Sequence, residues 1–241
     1  MERAGSTIAA AIPPDVRQLL DELWAAGYAA YVVGGGPRNV LLGIPPAAEW
    51  DLATSAVPEQ TVAALAGAVY ENRFGTVAVR RDGHAHEITT FRSDHEYADF
   101  RRPHHVEFTD SVEADLARRD FTVNALAWGA WPGDERRLID LHGGLGDLDA
   151  RLIRAVGDPR RRFEEDALRI VRAIRLAATL GFTIEPATRD AIRDTAPLVA
   201  HLSGERIAAE LTRILLADPP SAGLALLMDT GTLGAFAPEL A

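Results

Sequence analysis

Two carboxylates one residue apart, Glu49-Trp50-Asp51, are of a type and spacing that could do chemistry. On a strand, residues i and i+2 point to the same face, so the pair would converge. Like charges held that close repel unless a cation sits between them. Mg²⁺ suits such a pair, because it takes one or two carboxylates and completes its shell with substrate phosphates. Alone, the pair reads better as two solvated acids on an edge strand. Just upstream stands Gly34-Gly35-Gly36-Pro37-Arg38. Glycines let backbone approach a phosphate, a helix start offers free N–H groups, and an arginine adds a bidentate donor. A glycine triplet by itself is more often a plain tight turn, and Gly-x-Gly-x-x-Gly is absent here. With carboxylates and glycines so close, metal and phosphate chemistry becomes the better reading of both.

Two more segments concentrate charge. Arg118-Arg119-Asp120-Phe121-Thr122-Val123-Asn124 sets polar side chains between apolar ones, as a ligand-facing segment would. A helix starting with Thr122 as its cap would give the same pattern. Further on, Asp166, Arg169, Arg172 and Arg175 recur every third residue, a slowly winding stripe on a helix. Leu168, Val171 and Ile174, with Phe163, form the adjacent apolar stripe that would face a core. The plainer reading is a solvated face with an i,i+3 ion pair between Asp166 and Arg169. Three arginines without a matching run of acids weigh against it.

These groups need elements to hold them. Pro13-Pro14-Asp15 followed by Val16, Leu19, Leu20, Leu23 and Trp24 predicts a helix stopped by Gly27. Tyr28–Val33 predicts a strand running into the glycine turn, with a helix starting at Pro37. Trp50–Ala53 is a second strand and Pro58–Leu65 a short helix. Thr76–Val79 and His86–Phe91 alternate on either side of Asp82-Gly83, a hairpin with an Asp-Gly turn. Ser93–Val106 is polar and aperiodic and reads as a mobile loop. A helix over Val112–Leu116 and a strand over Leu138–Leu141 follow. After Asp158-Pro159 only helical periods remain, over Phe163–Leu180, Pro186–Thr195, Gly204–Leu216 and Ser221–Leu227. That change places a domain boundary near Val156.

Composition removes whole classes of function. The 241 residues include no cysteine, which excludes disulfide scaffolds, thiolate-bound metals and cysteine nucleophiles. Every basic residue is arginine, so a P-loop lysine and Schiff-base chemistry are excluded as well. The net charge of −10 argues against a general nucleic-acid coat but leaves room for a local arginine-lined groove. No stretch approaches the roughly 18 apolar residues of a membrane span, and the N-terminus lacks the make-up of a signal peptide. The expectation is a soluble, cytoplasmic protein with no membrane partner.

In this order and spacing the segments resemble the tRNA nucleotidyltransferase and bacterial poly(A) polymerase family, the class II CCA-adding enzymes. The resemblance is carried by YVVGGGPRNVLLG, EWDLATSAVPEQ, FGTVAV, HEITTFRSD, DFRRPHHVEF, DLARRDFTVNALAW, LIDLHGGLGDL, FEEDALRIVRAIRLAATLGF and LSGERIAAELTRIL, from Tyr31 to Leu216. RRDFTVNALAW and EEDALRIVRA are its most specific parts. It implies an α+β fold: a polymerase-beta-like nucleotidyltransferase head over residues 1–156, built as a small mixed β-sheet with flanking helices, then an all-helical, base-selecting neck over 157–241. The family's body and tail domains would be absent, leaving a partner subunit to supply tRNA-binding domains.

The resemblance also implies roles. The activity would be template-independent addition of C and/or A from CTP or ATP to the 3′ end of tRNA, with release of pyrophosphate. Glu49 and Asp51 match the metal-binding pair, holding two Mg²⁺ that activate the primer hydroxyl and stabilise the leaving pyrophosphate. Glu87 joins them as a catalytic carboxylate. Gly34, Gly35 and Arg38 match the triphosphate-holding positions, and Arg119, Asp120 and Asn124 the motif beside ribose and phosphates. Asp166 and Arg169 match the base-reading pair, supported by Arg172 and Arg175. Cytosine and adenine each present an amine donor beside a ring-nitrogen acceptor, which a carboxylate and a guanidinium complement. Guanine and uracil put an acceptor where the carboxylate needs a donor, at a cost of about 1–3 kcal/mol for the group left unpaired. Two residues depart from the family pattern, Glu49 and Asn39, each where the family has aspartate. The alternatives are a degenerate relative that binds nucleotide or RNA without turnover, and a poly(A) polymerase.

Overall fold

The computed structural model describes residues 1–45, 50–72, 75–97 and 103–240. They divide into two compact units. One comprises Met1–Asp94, Val106–Arg119 and Val123–Gly144, and the other His95–His105, Asp120–Thr122 and Leu145–Ala241. The change of sequence pattern near Val156 falls within the second of these units, where β10 (Leu152–Ile153) runs parallel to β11 (Thr183–Ile184) and the Val156 N–H donates to the Asp120 carbonyl.

The first unit is built on a seven-stranded mixed sheet. Its strands are β1 (Ala30–Val33), β2 (Asp51–Thr54), β3 (Val69–Asn72), β4 (Thr76–Arg81), β5 (His84–Thr90), β8 (Leu126–Ala130) and β9 (Arg137–Asp140), in the order β3-β4-β5-β2-β1-β8-β9. β1 and β8 are buried along their whole length, so they read as unbroken apolar runs rather than alternating ones. Tyr31 and Val33 point to one face, joining Phe91, Val112, Leu116 and Ile139 in a cluster. Flanking helices are α1 (Glu2–Ala11), α2 (Pro14–Ala25), α3 (Gly35–Leu41), α4 (Pro58–Ala64) and α5 (Val112–Ala117). The hairpin turn is as expected: Asp82 and Gly83 adopt φ of 48° and 85°, the double left-handed pattern of an Asp-Gly turn.

Several expectations need correction. Ser93–Val106 is not a loop throughout. β6 (Arg92–Tyr97) and β7 (Pro103–Phe108) form a two-stranded ribbon, whose backbone pairing demands no apolar alternation. Strands β3 and β8 and helix α1 are additional to the sequence reading. α3 begins at Gly35 rather than Pro37. Thr122 caps no α-helix: it opens a single 3₁₀ turn over Thr122–Asn124, and its hydroxyl donates to Asp147 Oδ2 at 2.6 Å.

In the second unit α6 (Gly144–Asp149) leads to α7 (Pro159–Glu165), α8 (Leu168–Leu180), α9 (Pro186–Thr195), α10 (Gly204–Leu215), α11 (Pro220–Asp229) and α12 (Thr232–Phe236). The single helix expected over Phe163–Leu180 is broken in two. Asp166 is extended, with φ −149° and ψ 105°. Its carboxylate accepts the Leu168 N–H at 3.1 Å and its carbonyl accepts the Arg169 N–H, an aspartate turn that opens a new helix. Asp166 therefore stands beside the arginine stripe rather than on it. Ile170, Val171, Ala173 and Ile174 of α8 are fully buried, and Gly181 ends the helix with φ 64°.

Candidate active site

β1 ends at Gly34, which caps α3 with φ 71°. A side chain at this position would be crowded by charged groups rather than by apolar core. A Cβ on Gly34 would lie 3.3 Å from Asp51 Oδ2 and 3.4 Å from Arg119 Nη1. Bare backbone, a carboxylate and a guanidinium thus converge at one point. Two residues on, a Cβ on Gly36 would meet Trp50 Cε3 at 2.7 Å, so the buried indole beside Asp51 packs directly on the turn.

Asp51 and Glu87 are direct partners in the parallel register of β2 and β5. Paired residues of neighbouring strands share a face of the sheet, and both carboxylates are exposed. The converging acids visible here are therefore supplied by two strands. Glu49, expected to pair with Asp51 along one strand, lies outside the described residues.

The cations are held by neighbours. Arg38 donates from Nε and Nη2 to Asn39 Oδ1 at 3.1 and 2.8 Å, and from Nη1 to Asn124 Oδ1. Asn39, a departure from the family pattern, clamps the guanidinium without neutralising it. Arg119 Nη2 lies 2.9 Å from Asp115 Oδ2, and Arg118 Nη2 lies 2.7 Å from Asp115 Oδ1. Asp115 is 1% exposed. Burial alone would raise its carboxyl, but the two guanidiniums hold it below the usual carboxylate range. Asp115, not among the expected site residues, is signalled in the sequence by its i,i+3 and i,i+4 spacing to two arginines on a helix.

In the second unit each predicted base-reading residue has a charged partner of its own. Both oxygens of Asp166 accept from Arg206 Nη2, at 3.1 and 3.0 Å. Arg169 Nη1 donates to Glu165 Oε2 at 2.7 Å and to the Arg162 carbonyl at 3.0 Å. Asp166 and Arg169 are thus oriented separately rather than by an ion pair with each other. Arg172 lies 3.4 Å from Asp120, and Arg175 lies 2.5 Å from Glu210 on α10. Burial lowers the Arg175 guanidinium pKa, with the Glu210 carboxylate opposing that shift. Glu165 sits at helical spacing from Arg162 and Arg169, whereas Arg206 and Glu210 are legible only as parts of longer motifs, because nothing local tells which distant acid and arginine will meet.

Among the described residues, one group brings three side chains of metal-binding type together, Asp15, His84 and His86, with their ligand atoms within 4.8 Å of one another. Histidine nitrogens make it a different donor set from the all-oxygen pair Asp51 and Glu87.

The family model described as the poly A polymerase head domain matches residues 30–154. A second, described as the probable RNA and SrmB-binding site of polymerase A, matches residues 181–241. The chain is 46% identical to a CCA-adding enzyme of Lacticaseibacillus paracasei, over 96% of its own length and 56% of the relative's. It is 43% identical to that of Geobacillus stearothermophilus, over 92% and 54%. In structure it is similar to the Bacillus stearothermophilus CCA-adding enzyme in complex with CTP, with a TM-score of 0.84, 39% identity and coverage of 93% of this chain and 54% of that one. It is also similar to the Thermotoga maritima CCA-adding enzyme complexed with tRNA, with a TM-score of 0.79, 26% identity and coverage of 95% and 54%. The chain spans about half the length of the curated relatives it matches.

Proposed function

The chain belongs to the family of poly A polymerase head domains and CCA-adding enzymes, and from that membership we propose that it is an RNA 3′-end nucleotidyltransferase of the cytoplasm. It adds C and/or A from CTP or ATP to the 3′ end of tRNA and releases pyrophosphate. Residues 1–156 act as the catalytic head and 157–241 as the base-selecting neck. The observation that carries the reading is the convergence of Asp51 and Arg119 on Gly34, with Glu87 in register beside Asp51. The relatives' complexes with CTP, ATP and tRNA support the choice of substrates.

Asp51 and Glu87 fit Mg²⁺: two hard oxygen donors share one exposed sheet face beside backbone without side chains, where phosphate oxygens have room to complete the shell. Asp51 and Glu87, with Glu49, would hold the ions. When bound, two Mg²⁺ lower the charge barrier between the primer hydroxyl and the triphosphate and stabilise the pyrophosphate that leaves. The chain's own residues do the rest. Gly34 and Gly35 let the phosphates come close, while Arg38, fixed by Asn39 and Asn124, presents the N–H edge of a clamped guanidinium. Arg119, held by Asp115, adds positive charge next to Asp51. Asp120 and Asn124 serve the ribose and phosphate side.

Base choice rests on Asp166 and Arg169. The carboxylate, steadied by Arg206, accepts from the exocyclic amine of C or A. The guanidinium, steadied by Glu165, donates to the neighbouring ring nitrogen. Arg172 and Arg175 keep the arginine stripe in place. The test is to supply labelled CTP, ATP, UTP and GTP in turn, with Mg²⁺, to a tRNA lacking its 3′ end and to size the products. Extension with C or A alone is the expected result, and the absence of any extension would remove the proposal.

A further inference from the structure

Asp15, His84 and His86 are outside the nucleotide-handling residues, and no role above uses them. His84 and His86 stand at i and i+2 on β5, so both imidazoles project from one face of the sheet. Asp15, in the first turn of α2, meets them there: its Oδ2 lies 3.3 Å from His84 Nδ1 and 3.1 Å from His86 Nε2. The other oxygen, Oδ1, accepts the Val16 N–H at 2.9 Å, which fixes the carboxylate and leaves Oδ2 facing both imidazoles. Ligand atoms about 2.0–2.1 Å from a tetrahedral Zn²⁺ stand roughly 3.3 Å apart along each edge; the two Asp15–His spacings approach this, and all three ligand atoms lie within 4.8 Å of one another. Asp15 and His86 are buried while the His84 ring is half exposed, so an ion has a way in and a water can take a fourth position.

We propose that Asp15, His84 and His86 form a binding site for a late first-row divalent ion of the Zn²⁺ type, separate from the Mg²⁺-suited carboxylates. Two imidazoles and one carboxylate select such ions over Mg²⁺, which favours oxygen donors. Burial would raise the Asp15 carboxyl, but the Val16 N–H and the two imidazoles outweigh it and hold the group below its ordinary range, ready as a carboxylate. The ion takes the place of the proton on His86 Nε2. His86 Nδ1 then carries the proton, and its contact with the Trp50 N–H, 3.5 Å long and at the outer limit of a hydrogen bond, is given up. The site ties α2 to β5 one residue before Glu87, so its effect is to brace the strand that carries a catalytic carboxylate.

The experiment is metal titration of the whole 241-residue chain with Zn²⁺ by calorimetry and with Co²⁺ by visible absorption, alongside Tm with and without Zn²⁺. The wild type is expected to bind one equivalent, to give the intense d–d bands of a low-coordinate Co²⁺ site, and to gain Tm in Zn²⁺ through mass action. His84→Ala, at a half-exposed ring, keeps the fold and should lose at least tenfold in affinity together with the Tm gain. Asp15→Asn is the second variant, retaining shape but weakening the ligand. Asp51→Ala should bind Zn²⁺ as the wild type does. Unchanged affinity in His84→Ala, loss of binding in Asp51→Ala, or no binding by the wild type would each overturn the proposal. Nucleotide transfer is scored separately, so a chain that transfers nucleotides yet ignores Zn²⁺ defeats only this inference.

Discussion

Asp51 is the residue on which the proposed chemistry turns, and its surroundings say what should happen when it changes. It is exposed at the start of β2, so Asp51→Ala leaves the core intact, and the variant should melt within a few degrees of the wild type. Transfer should fall more than about a hundredfold, since even outer partners of a metal ligand cost 10–100-fold. Circular dichroism and a nucleotide-incorporation rate on the same sample check both halves. Gly36 makes the opposite kind of prediction. Its Cβ would stand 2.7 Å from the Trp50 ring, an overpacking that costs about 1–3 kcal/mol. Gly36→Ala should therefore lower the urea midpoint as well as activity. These residues could be read differently well before folding. Asp51, Arg38 and the glycines announce themselves through residue type, and Asp115 through its helical spacing to Arg118 and Arg119, whereas Asn39 becomes meaningful only when the guanidinium it holds is known.

Elements decide how firmly those residues are held. The short helix α5 works as a bracket: buried Asp115 fastens Arg118 and Arg119 through charged pairs at 2.7 and 2.9 Å. Because the Asp115 carboxyl is held below its unfolded range, its contribution to stability is present above the unfolded pKa and is lost as pH falls through the folded one. Thermal melts between pH 6 and 3 should show that loss, and Asp115→Asn should flatten this acid-side dependence. An unchanged pH profile in the variant would mean that the pair contributes nothing to stability. The break between α7 and α8 shows why part of the design stays hidden in sequence. Helical periodicity runs straight through Asp166, since Phe163 before the kink and Val171 and Ile174 after it are all fully buried. Only the competition between the Asp166 side chain and the helical backbone, settled by its bonds to Leu168 and Arg206, ends one helix and begins the next. The β6–β7 ribbon was hidden for a related reason, as strand pairing through backbone groups leaves no mark in polar side chains. By contrast, the Asp-Gly hairpin and the apolar run of β1 declare their geometry locally.

Across the molecule, charge sets how the proposed RNA substrate would be met. The chain carries a net charge of −10, and many arginines are already paired with acids: Arg160 with Glu164, Arg161 with Glu165, and both Arg189 and Arg193 with Asp229. Each phosphate neutralised contributes about 0.7–0.9 to the slope of log K against log salt. The 241-residue chain should therefore bind a tRNA lacking its 3′ end weakly, with a slope no steeper than about −3. Filter binding at several salt concentrations measures it, and a tight, steep interaction would reveal an arginine surface not recognised here. In the proposed function Asp51 and Glu87, next to Gly34 and Arg119, are the machinery of nucleotidyl transfer. The most direct measurement is the single-turnover rate of labelled CTP incorporation into that tRNA, in Mg²⁺, for the wild type, Asp51→Ala and Glu87→Ala at matched folded concentration. Measurable transfer by the wild type and a loss of more than about a hundredfold in both variants is the predicted result. Equal rates in all three proteins, or no transfer by any of them, would contradict it.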